Sequence, residues 1–474
     1  MADIQELQRS SGTRRIVRRP APRLAGEADA LAHRGAALPP NRAQWATTAA
    51  LIGGPLIAAV LWPATTWAVA HAAFFVLFAV AALTRLAAAL TPRVGVAAPA
   101  LKGNRLPRYT VICPLYQEAA VAPQLVAALD ALDYPRHRLQ ALVVVEADDA
   151  ETRAALEAMP LPGFIEVLVA PPGVPRTKPR ACNIALGRAT GELVTIYDAE
   201  DRPHPAQLRE AASRFVSGPP RLACLQAPLR IEPDRRFLPR QFALEYAIQF
   251  EVVLPMLARL GLPFPLGGTS NHFRRSALDA VGGWDPWNVT EDADLGFRLA
   301  AEGYELGVLE SPTFEAAPDS LTDWLPQRAR WVKGYMQTFG VQTRSPPHWR
   351  THVMTAFALT LGVAIAAAFL HGPLLALTLA GGLLGVLSGE AWLRPADMGL
   401  LLAGWSCAAT AAVVGMRRAG LHVRPRDLLL TPLYWPLQSL AAVHALIQLL
   451  ARPHHWDKTR HRPLNLAESG QNAG

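Results

Sequence analysis

The sequence predicts an α/β domain between segments of apolar helix that enter a membrane. Short apolar runs alternate with helical patterns from residue 105 to residue 345, which is typical of a mostly parallel sheet. The chain of 474 residues is 51% hydrophobic and only 18% charged, so much of it suits an apolar environment. Four long stretches contain no Asp, Glu, Lys or Arg, and such runs are candidate membrane spans. These stretches are residues 43–84, 351–389, 398–416 and 428–451.

Two predicted strands, at 142–145 and 193–197, end in clusters of acids. Ligands of open α/β sheets bind beyond the carboxyl ends of the strands, so we expect the functional site at this edge. The acids are Glu146, Asp148 and Asp149 after the first strand, and Asp198, Glu200 and Asp201 after the second. The other predicted elements are strands at 109–114 and 165–169 and helices at 119–132 and 181–189.

The first uncharged run is too long for one span, and Trp62-Pro63 interrupts it, so we expect a helical hairpin. The tail before it carries eight arginines against four acids and resembles no secretory signal, which predicts that it stays in the cytoplasm. Two crossings would then return the chain to the same side. The predicted organisation is a disordered basic tail (1–42), a transmembrane hairpin (43–92), a cytoplasmic α/β domain (93–350), transmembrane and interfacial helices (351–451) and a cytoplasmic tail (452–474).

The number of spans after residue 350 stays open at the level of sequence. A break at 371–373 would divide the third uncharged run into two short spans. Counting the run at 428–451 as a fourth span leaves four arginines between residues 417 and 426 on the far side, against the positive-inside tendency. A re-entrant or interfacial segment at 428–451, which contains Pro432 and Pro436, would remove that conflict if the preceding segments were also reassigned, because three full crossings alone leave those arginines outside.

Composition argues against two other classes of protein. The four cysteines lie far apart, with no spacing typical of a zinc site or a disulfide framework. The net charge of +8 comes largely from arginines in the tail and beside the membrane segments. Anionic lipid head groups and a nucleotide-linked substrate explain that charge better than nucleic acid does.

The acids of the second cluster predict a metal site. Asp198 and Glu200 are two positions apart with Asp201 alongside, and carboxylate oxygens of this kind suit Mg²⁺ or Mn²⁺ bridging the phosphates of a nucleotide. The alternative is a solvated acidic turn. For Asp148 and Asp149 two interpretations stay open: they contact a ribose or a base edge, or they cap the helix that follows.

Further motifs follow along the chain. Lys178 and Asn183, at a helical pattern, could hold a diphosphate and the turn beneath it, although a lone lysine is more often at the surface. The loop 267–272 has glycines that let backbone approach a ligand, or it is an ordinary turn. Thr290 would be the N-cap of another helix, and Asp292 in its first turn could be a general base toward an acceptor hydroxyl.

The segment Gln327-Arg328-Ala329-Arg330-Trp331 lies shortly before the third uncharged run. Arginine forks suit phosphate and pyrophosphate, and the flat indole face suits a sugar or a base. The alternative is a basic flank beside a membrane span. Within the segment, Arg328 is the residue expected to be a plain flanking charge.

The order of these motifs resembles the inverting family-2 glycosyltransferases of GT-A fold, in the membrane-embedded branch that includes cellulose and hyaluronan synthases. The resemblance covers residues 105–345. The strings around 267–273 and 284–295 look closest to a bacterial subgroup often called XagB-like, and the tail at 456–461 is similar to the mobile loop of synthases. The resemblance implies a GT-A-type, Rossmann-like cytoplasmic domain with a mostly parallel sheet, flanked by transmembrane helices.

The resemblance also implies roles for single residues. Asp292 is expected to be the catalytic base. The metal, Mg²⁺ or Mn²⁺, would be held by Asp198 and Glu200, where the family has a second Asp, with Asp201 as the alternative ligand. Substrate binding is expected from Asp148, Lys178, Asn183, Glu291, Gln327, Arg330 and Trp331, with Glu146 and Asp149 as alternatives to Asp148.

The activity implied is inverting transfer of a sugar from a nucleoside diphosphate, foremost a UDP-sugar, to an acceptor hydroxyl at the bacterial inner membrane. The Gln-x-x-Arg-Trp motif and the spans after the domain favour polysaccharide synthesis, with a growing glycan as acceptor. One alternative is single-sugar transfer to a lipid or lipid-linked acceptor. Another is a non-catalytic membrane scaffold that binds a nucleotide-sugar.

Overall fold

The computed structural model of the chain describes residues 16–17, 35–93, 95, 101, 103–232, 235–344, 351–389 and 394–455. The motif at 456–461 and most of the basic tail lie outside the described residues.

The strands form two sheets. In chain order they are β1 (Ile16–Val17), β2 (Tyr109–Leu115), β3 (Leu139–Glu146), β4 (Ile165–Ala170), β5 (Leu193–Ile196), β6 (Arg202–Pro203), β7 (Leu222–Gln226), β8 (Leu229–Ile231), β9 (Asn271–Arg274), β10 (Glu305–Val308) and β11 (Thr313–Glu315). The large sheet has eight strands in the order β1-β4-β3-β2-β5-β9-β7-β10, and the small sheet has the order β6-β11-β8. Only β9 runs antiparallel to its neighbours in the large sheet, so the prediction of a mostly parallel sheet is confirmed.

Helices cover both faces of the large sheet. Alternate side chains of β3 enter two different apolar clusters, Leu142 and Val144 on one face and Val143 and Val145 on the other. The helices of this domain are α3 (Ala122–Asp130), α4 (Ala150–Glu157), α5 (Lys178–Leu186), α6 (Gln207–Ser217), α7 (Phe237–Ile248), α8 (Leu254–Arg259), α9 (Arg275–Ala280), α10 (Glu291–Ala301) and α11 (Leu321–Thr343). The helix expected at 181–189 begins three residues earlier, which places Lys178 inside its first turn.

In the part of the chain that the structure describes, five helical segments are long and apolar enough to cross a membrane. Their outer surfaces are apolar as well: Val60 is 79% exposed and Val386 is 82% exposed, as expected for side chains that face lipid. The segments are α1 (Arg42–Leu61), α2 (Pro63–Leu90), the pair α12 (Thr351–Phe357) and α13 (Val363–Ser388) joined by a π-helical turn, α14 (Pro395–Arg418) and α15 (Pro425–Ala451).

The expected break at 371–373 is absent, and α13 continues through Pro373. The hydroxyl of Ser439, on α15, explains the continuity. The Gly372 N–H donates to Ser439 Oγ at 2.9 Å, and Ser439 Oγ donates to the Ala368 carbonyl at 2.6 Å, so the hydroxyl replaces the direct bond between two residues four apart. A Cβ at position 372 would lie 2.9 Å from that hydroxyl oxygen, so the approach requires glycine.

This continuous segment changes the predicted topology. The α1–α2 hairpin begins and ends at the α/β domain, since Gln44 bonds the Gly340 carbonyl (2.7 Å) and Arg259 of α8 donates to the Pro92 carbonyl (3.2 Å). The adjacent Thr91 carbonyl accepts from Arg418 (2.7 Å). Arg418 ends α14 and also bonds the Glu251 carbonyl at 2.9 Å. The second helical pair therefore also returns to the domain. The arginines after α14 lie on the domain side, and the conflict expected from the sequence disappears.

Both ends of α15 contact the α/β domain. At its start, Arg240 Nε on α7 donates to an Asp427 carboxylate oxygen at 2.8 Å. After its end, Lys333 Nζ and Gln337 Nε2 on α11 donate to the carbonyls of His455 (2.7 Å) and Pro453 (2.9 Å). A helix held to one domain at both ends lies along that domain, as an interfacial segment would.

Candidate active site

One cavity of about 1270 Å³ extends from the carboxyl ends of the strands into the space between the apolar helices. Its volume exceeds the usual range of roughly 300–1,000 Å³ for small-molecule sites, so there is room for more than one substrate. Eight of the predicted residues line it: Lys178, Asp198, Glu200, Glu291, Asp292, Gln327, Arg330 and Trp331. Three predicted residues, Asp148, Asn183 and Asp201, do not line it.

Lys178 and Asp198 form the floor of the cavity. Lys178 Nζ donates to Asp198 Oδ1 and, at 2.7 Å, to the Gly268 carbonyl. Burial acts to lower the pKa of Lys178, but the carboxylates of Asp198 and Glu291 outweigh it and raise that pKa above its usual value. The lysine is therefore a fixed cation. The glycine-rich loop also lies at the site. A Cβ on Gly268 would be 3.6 Å from Asp292 Oδ2 and 3.8 Å from Lys178 Nζ, so the backbone of the loop is close to both groups.

Asp201 lies behind this floor. One of its carboxylate oxygens accepts the Asp198 N–H at 2.8 Å and the hydroxyl of Thr269. Its side chain is 1% exposed, and burial, followed by the nearby Asp198 carboxylate, raises its pKa well above the usual value. In this structure Asp201 fixes the turn that aims Asp198 at the cavity.

Without Asp201, the candidate metal ligands are Asp198 and Glu200, and this pair fits a divalent cation. Within the described part of the chain no cluster of three His, Cys, Asp or Glu side chains forms a closed cage. Mg²⁺ is commonly held by one or two carboxylates together with waters and substrate phosphates. Asp198 and Glu200 line the cavity as such a pair.

Asp292 and Glu291 open α10 at the cavity wall. Burial raises the pKa of Asp292 to about 6, against opposing hydrogen bonds from backbone N–H groups and the charges of Lys178 and Arg330. Burial and then the neighbouring Asp292 carboxylate raise the pKa of Glu291 to about 8. Neighbouring carboxyl groups with separated pKa values can take different roles in proton transfer. Of the two, Asp292 keeps the lower pKa, so it is the better candidate for a base.

Thr290 occupies the N-cap position of α10, as predicted, but its side chain forms no capping hydrogen bond. Its hydroxyl oxygen is buried without a hydrogen-bond partner among the described residues. Gly334 on α11 lies against it, since a Cβ at that position would come within 2.3 Å of the hydroxyl oxygen. Thr290 therefore packs α10 against α11 instead of closing the helix end.

The segment at 327–331 lies on α11, where residues three and four apart share a face. Gln327, Arg330 and Trp331 face the cavity. Burial lowers the pKa of Arg330, while the acids Glu291, Asp198 and Asp292 act in the opposite direction. The guanidinium of Arg330 thus lies in the field of the acidic cluster.

Arg328 was expected to be a plain flanking charge, and that expectation is wrong. Its side chain is 7% exposed, and its two terminal nitrogens donate to the two carboxylate oxygens of Glu245 at 2.7 Å each. Its guanidinium also stacks over the ring of Trp331, at 4.4 Å from the centroid. Arg328 lines the cavity beside the indole and holds the ring in place.

The acids after β3 make different contacts from those expected. Asp149 caps α4 by accepting the Thr152 N–H (3.2 Å), so the capping interpretation is confirmed for this residue. Asp148 is exposed and pairs with Arg176. Glu146, the expected alternative, is the acid that lines the cavity, and burial raises its pKa against the opposing charge of Arg180.

Asn183 supports the site instead of lining it. Its amide nitrogen donates to the Trp284 carbonyl at 2.7 Å, and its amide oxygen accepts the Trp284 N–H at 3.0 Å. Both polar atoms of the side chain are therefore engaged by one backbone unit. Asn183 was expected to contact the substrate, but in the structure it links α5 to the loop before α10.

Two residues at the cavity were missed by the sequence reasoning. Tyr116 follows β2, and Arg176 precedes α5; the guanidinium lies 4.8 Å from the centre of the tyrosine ring. The strand-end rule points to Tyr116 as well. It was overlooked because acids, and not aromatic rings, were sought at the strand ends.

The chain is similar to known sugar-transferring proteins. Residues 193–419 match the family model described as "Glycosyl transferase family group 2". The chain is 25% identical over 239 residues to the probable glycosyltransferase YdaM of Bacillus subtilis, covering 49% of this chain and 56% of the relative. It is 28% identical over 237 residues to the beta-monoglucosyldiacylglycerol synthase of Synechocystis, covering 49% of each. The chain thus spans about half the length of the curated relatives it matches.

A solved structure shares the fold over most of the chain. The mannosyltransferase PcManGT of Pyrobaculum calidifontis, solved in complex with GDP-Man and Mn²⁺, superposes with a TM-score of 0.53 at 22% identity. The match covers 81% of this chain and 98% of the mannosyltransferase. Together with the strand order, it shows a GT-A-like glycosyltransferase fold, as the sequence predicted.

Proposed function

We propose that this chain is a family-2 glycosyltransferase and that it transfers a sugar from a nucleoside diphosphate to a hydroxyl of a membrane lipid. The single observation behind this proposal is the continuity of the cavity. At one end it holds the cations and carboxylates that sugar transfer needs. At the other end it opens between helices apolar enough to span a membrane.

The donor diphosphate lies, in this proposal, between Lys178 and Arg330. Both are cations at the cavity wall, and neither needs to move when negative charge builds up on the leaving diphosphate. Trp331, supported by Arg328, offers its face to a sugar ring. The donor of PcManGT is a GDP-sugar, so a GDP-sugar stands beside the expected UDP-sugar as a candidate.

Asp292 is the proposed general base. Its carboxylate takes the proton from the acceptor hydroxyl, whose oxygen forms a bond to the anomeric carbon as the bond from that carbon to the diphosphate breaks. Attack from the face opposite the leaving group inverts the configuration. A pKa raised to about 6 leaves Asp292 charged at neutral pH and basic enough to accept the proton.

Asp198 and Glu200 are the residues that would hold Mg²⁺ or Mn²⁺. The cation would offset negative charge on the donor diphosphate. Asp201 is proposed to orient Asp198, because its carboxylate is taken up by the turn.

The lining of the cavity between the helices favours a lipid acceptor. This part presents mainly hydrocarbon side chains, among them Phe74, Phe78, Leu375 and Leu401. A hydrocarbon chain can fill such a space without leaving polar groups unpaired. The similarity to a glucosyldiacylglycerol synthase agrees with a lipid acceptor. The proposal reverses the preference for a polysaccharide that the motif order suggested.

Polysaccharide extension is the second candidate. The Gln-x-x-Arg-Trp side chains face the cavity, and three further tryptophans, Trp67, Trp405 and Trp435, line it among the helices. Aromatic faces bind sugar rings. A glycan that grew through this space would pass these rings in turn.

A donor screen tests both candidates. The purified protein in lipid nanodiscs would be given radiolabelled UDP- and GDP-sugars with Mg²⁺, with Mn²⁺ or with EDTA, in the presence of bacterial lipid extract. We expect label in the organic phase as a lipid with one sugar, and a loss of transfer with EDTA. Label only in a large water-soluble polymer would instead support polysaccharide extension, and no transfer from any donor would contradict the proposed function.

A further inference from the structure

Arg85 is the only charged residue of α2, and its side chain lines the cavity. Leu90, the last residue of the helix, is five positions further along the chain, which corresponds to roughly 8 Å along the axis. The end of α2 adjoins the α/β domain, because Arg259 of α8 donates to the Pro92 carbonyl at 3.2 Å. Arg85 therefore lies just inside the apolar layer, at the depth where lipid head groups meet hydrocarbon chains.

Among the described residues, the Arg85 guanidinium forms no hydrogen bond or ion pair. Glu245 is the carboxylate that most attracts its charge. Both oxygens of that carboxylate are already bound by Arg328, and the Tyr434 hydroxyl donates to one of them at 3.0 Å. One positive charge in this part of the cavity is thus left without a counterion.

Other arginines near the membrane face are engaged by protein groups. Arg93 pairs with Glu251 at 2.8 Å, Arg240 pairs with Asp427 at 2.6 Å, and Arg418 bonds two carbonyls. An uncompensated cation in an apolar layer is costly, and in membrane proteins it usually marks a ligand site. The contrast singles out Arg85.

We propose that Arg85 binds the anionic head group of the acceptor lipid, a phosphate or another oxyanion of similar shape. The planar fork of arginine matches two phosphate oxygens. The hydrocarbon chain of the lipid would lie along Phe78 and the apolar side chains of α13 and α14, while its hydroxyl end reaches toward Asp292. This inference rests on the proposed function and narrows its acceptor to a negatively charged lipid.

A photo-crosslinking comparison tests the site. The full chain would be placed in phosphatidylcholine nanodiscs with a trace of phosphatidic acid or diacylglycerol, each carrying the same photoreactive acyl chain. Crosslinked peptides would be mapped by mass spectrometry for the natural chain, Arg85→Gln, Arg85→Lys and Arg417→Gln. Arg417 is exposed at the end of α14 and does not line the cavity, so its variant controls for general attraction of anionic lipid.

We expect phosphatidic acid to label peptides of α2 and α13 several-fold more than diacylglycerol does. Arg85→Gln should reduce that labelling by about tenfold or more, as for loss of a charged hydrogen bond. Arg85→Lys should retain most of it, and Arg417→Gln all of it. Thermal unfolding in the same nanodiscs checks that each variant is folded.

Equal labelling by the two lipids, or labelling that ignores Arg85, would overturn the inference. Inorganic phosphate at millimolar concentration distinguishes the source of the anion: if it abolishes labelling, the site takes free phosphate and the lipid assignment fails. The outcome is separable from the proposed function. Sugar transfer without Arg85-dependent labelling removes only this inference, whereas labelling without any sugar transfer removes the proposed function.

Discussion

The carboxylate of Asp292 lies in surroundings that control when it can accept a proton. Burial raises its pKa to about 6, so the ionised, basic form is lost as the pH falls through that value. We predict that kcat/KM for sugar transfer rises with pH and reaches a plateau above about pH 6. The measurement is a pH–rate profile of transfer at saturating metal.

Asp292→Asn supplies the control for this profile. The amide cannot act as a base, so the transfer rate should fall by about 10²- to 10⁴-fold and show no inflection near pH 6. Donor binding, followed by calorimetry, should persist. A variant that kept the transfer rate or lost donor binding would contradict the role of Asp292.

Substitutions of two arginines on α11, two positions apart, should have different effects on activity and on stability. Both arginines line the cavity, but Arg330 lies near its acids, whereas both terminal nitrogens of Arg328 are bound to Glu245. We predict that Arg330→Ala lowers kcat/KM by about 10- to 100-fold, as expected for a lost charged hydrogen bond, with little change in thermal stability. Arg328→Ala should instead lower the free energy of unfolding by about 1–3 kcal/mol, because Glu245 loses its partner.

Kinetics and thermal unfolding of both variants decide between these roles. If Arg328→Ala lost transfer while keeping its stability, Arg328 would belong to the catalytic wall and not to its support.

Single residues also show how much of the site could be predicted from the sequence. The strand-end rule located Asp198, Glu200 and the acids near them, because the carboxyl ends of parallel strands are exposed to ligands in any such sheet. The rule could not distinguish the role of Asp201 from that of Asp198, because their roles depend on which carboxylate accepts the hydroxyl of Thr269. Nor could it assign Asn183, whose partner Trp284 is distant in sequence.

At the scale of elements, the apolar runs predicted β2, β3, β4 and β5, because buried parallel strands are continuous apolar runs. The strands from β6 onward were not predicted. The helix through Pro373 was mispredicted for a specific reason. A proline usually ends or kinks a helix, but here the Ser439 hydroxyl on α15 bridges the Gly372 N–H and the Ala368 carbonyl next to the proline. No local pattern in the sequence of α13 contains that information.

The same elements lead to a prediction about topology. The structure places both ends of α15 on the α/β domain, and the far ends of the two helical pairs lie at Trp62 and Ser388. Cysteines introduced at Arg426 and Arg452 should therefore react with a membrane-impermeant maleimide from the same side as the domain. Cysteines at Trp62 and Ser388 should react only from the opposite side.

Labelling of sealed vesicles of both orientations provides this measurement, in a background in which the partly exposed Cys407 is replaced. Reaction at Arg426 and Arg452 from opposite sides would mean that α15 crosses the membrane. With arginines at the end of α14 on the domain side, the positive-inside tendency supports the proposal that the domain faces the cytoplasm.

At the scale of the whole molecule, the cavity joins two environments that the sequence showed separately. The motifs predicted a polar site, and the uncharged runs predicted spans, but neither implied that one space of about 1270 Å³ would connect them. That connection depends on how α2, α13, α14 and α15 pack around the domain. The same connection is the reason that the proposed acceptor is a lipid and not a glycan.

The configuration and partition of the product test the account most directly. The protein in nanodiscs would receive an α-linked nucleoside-diphosphate sugar with metal and bacterial lipid, and the organic phase would be analysed by proton NMR. We predict a lipid carrying one β-linked sugar, formed by the natural chain and not by Asp292→Asn. An α-linked product, or sugar found only in a water-soluble polymer, would contradict inverting transfer to a membrane lipid.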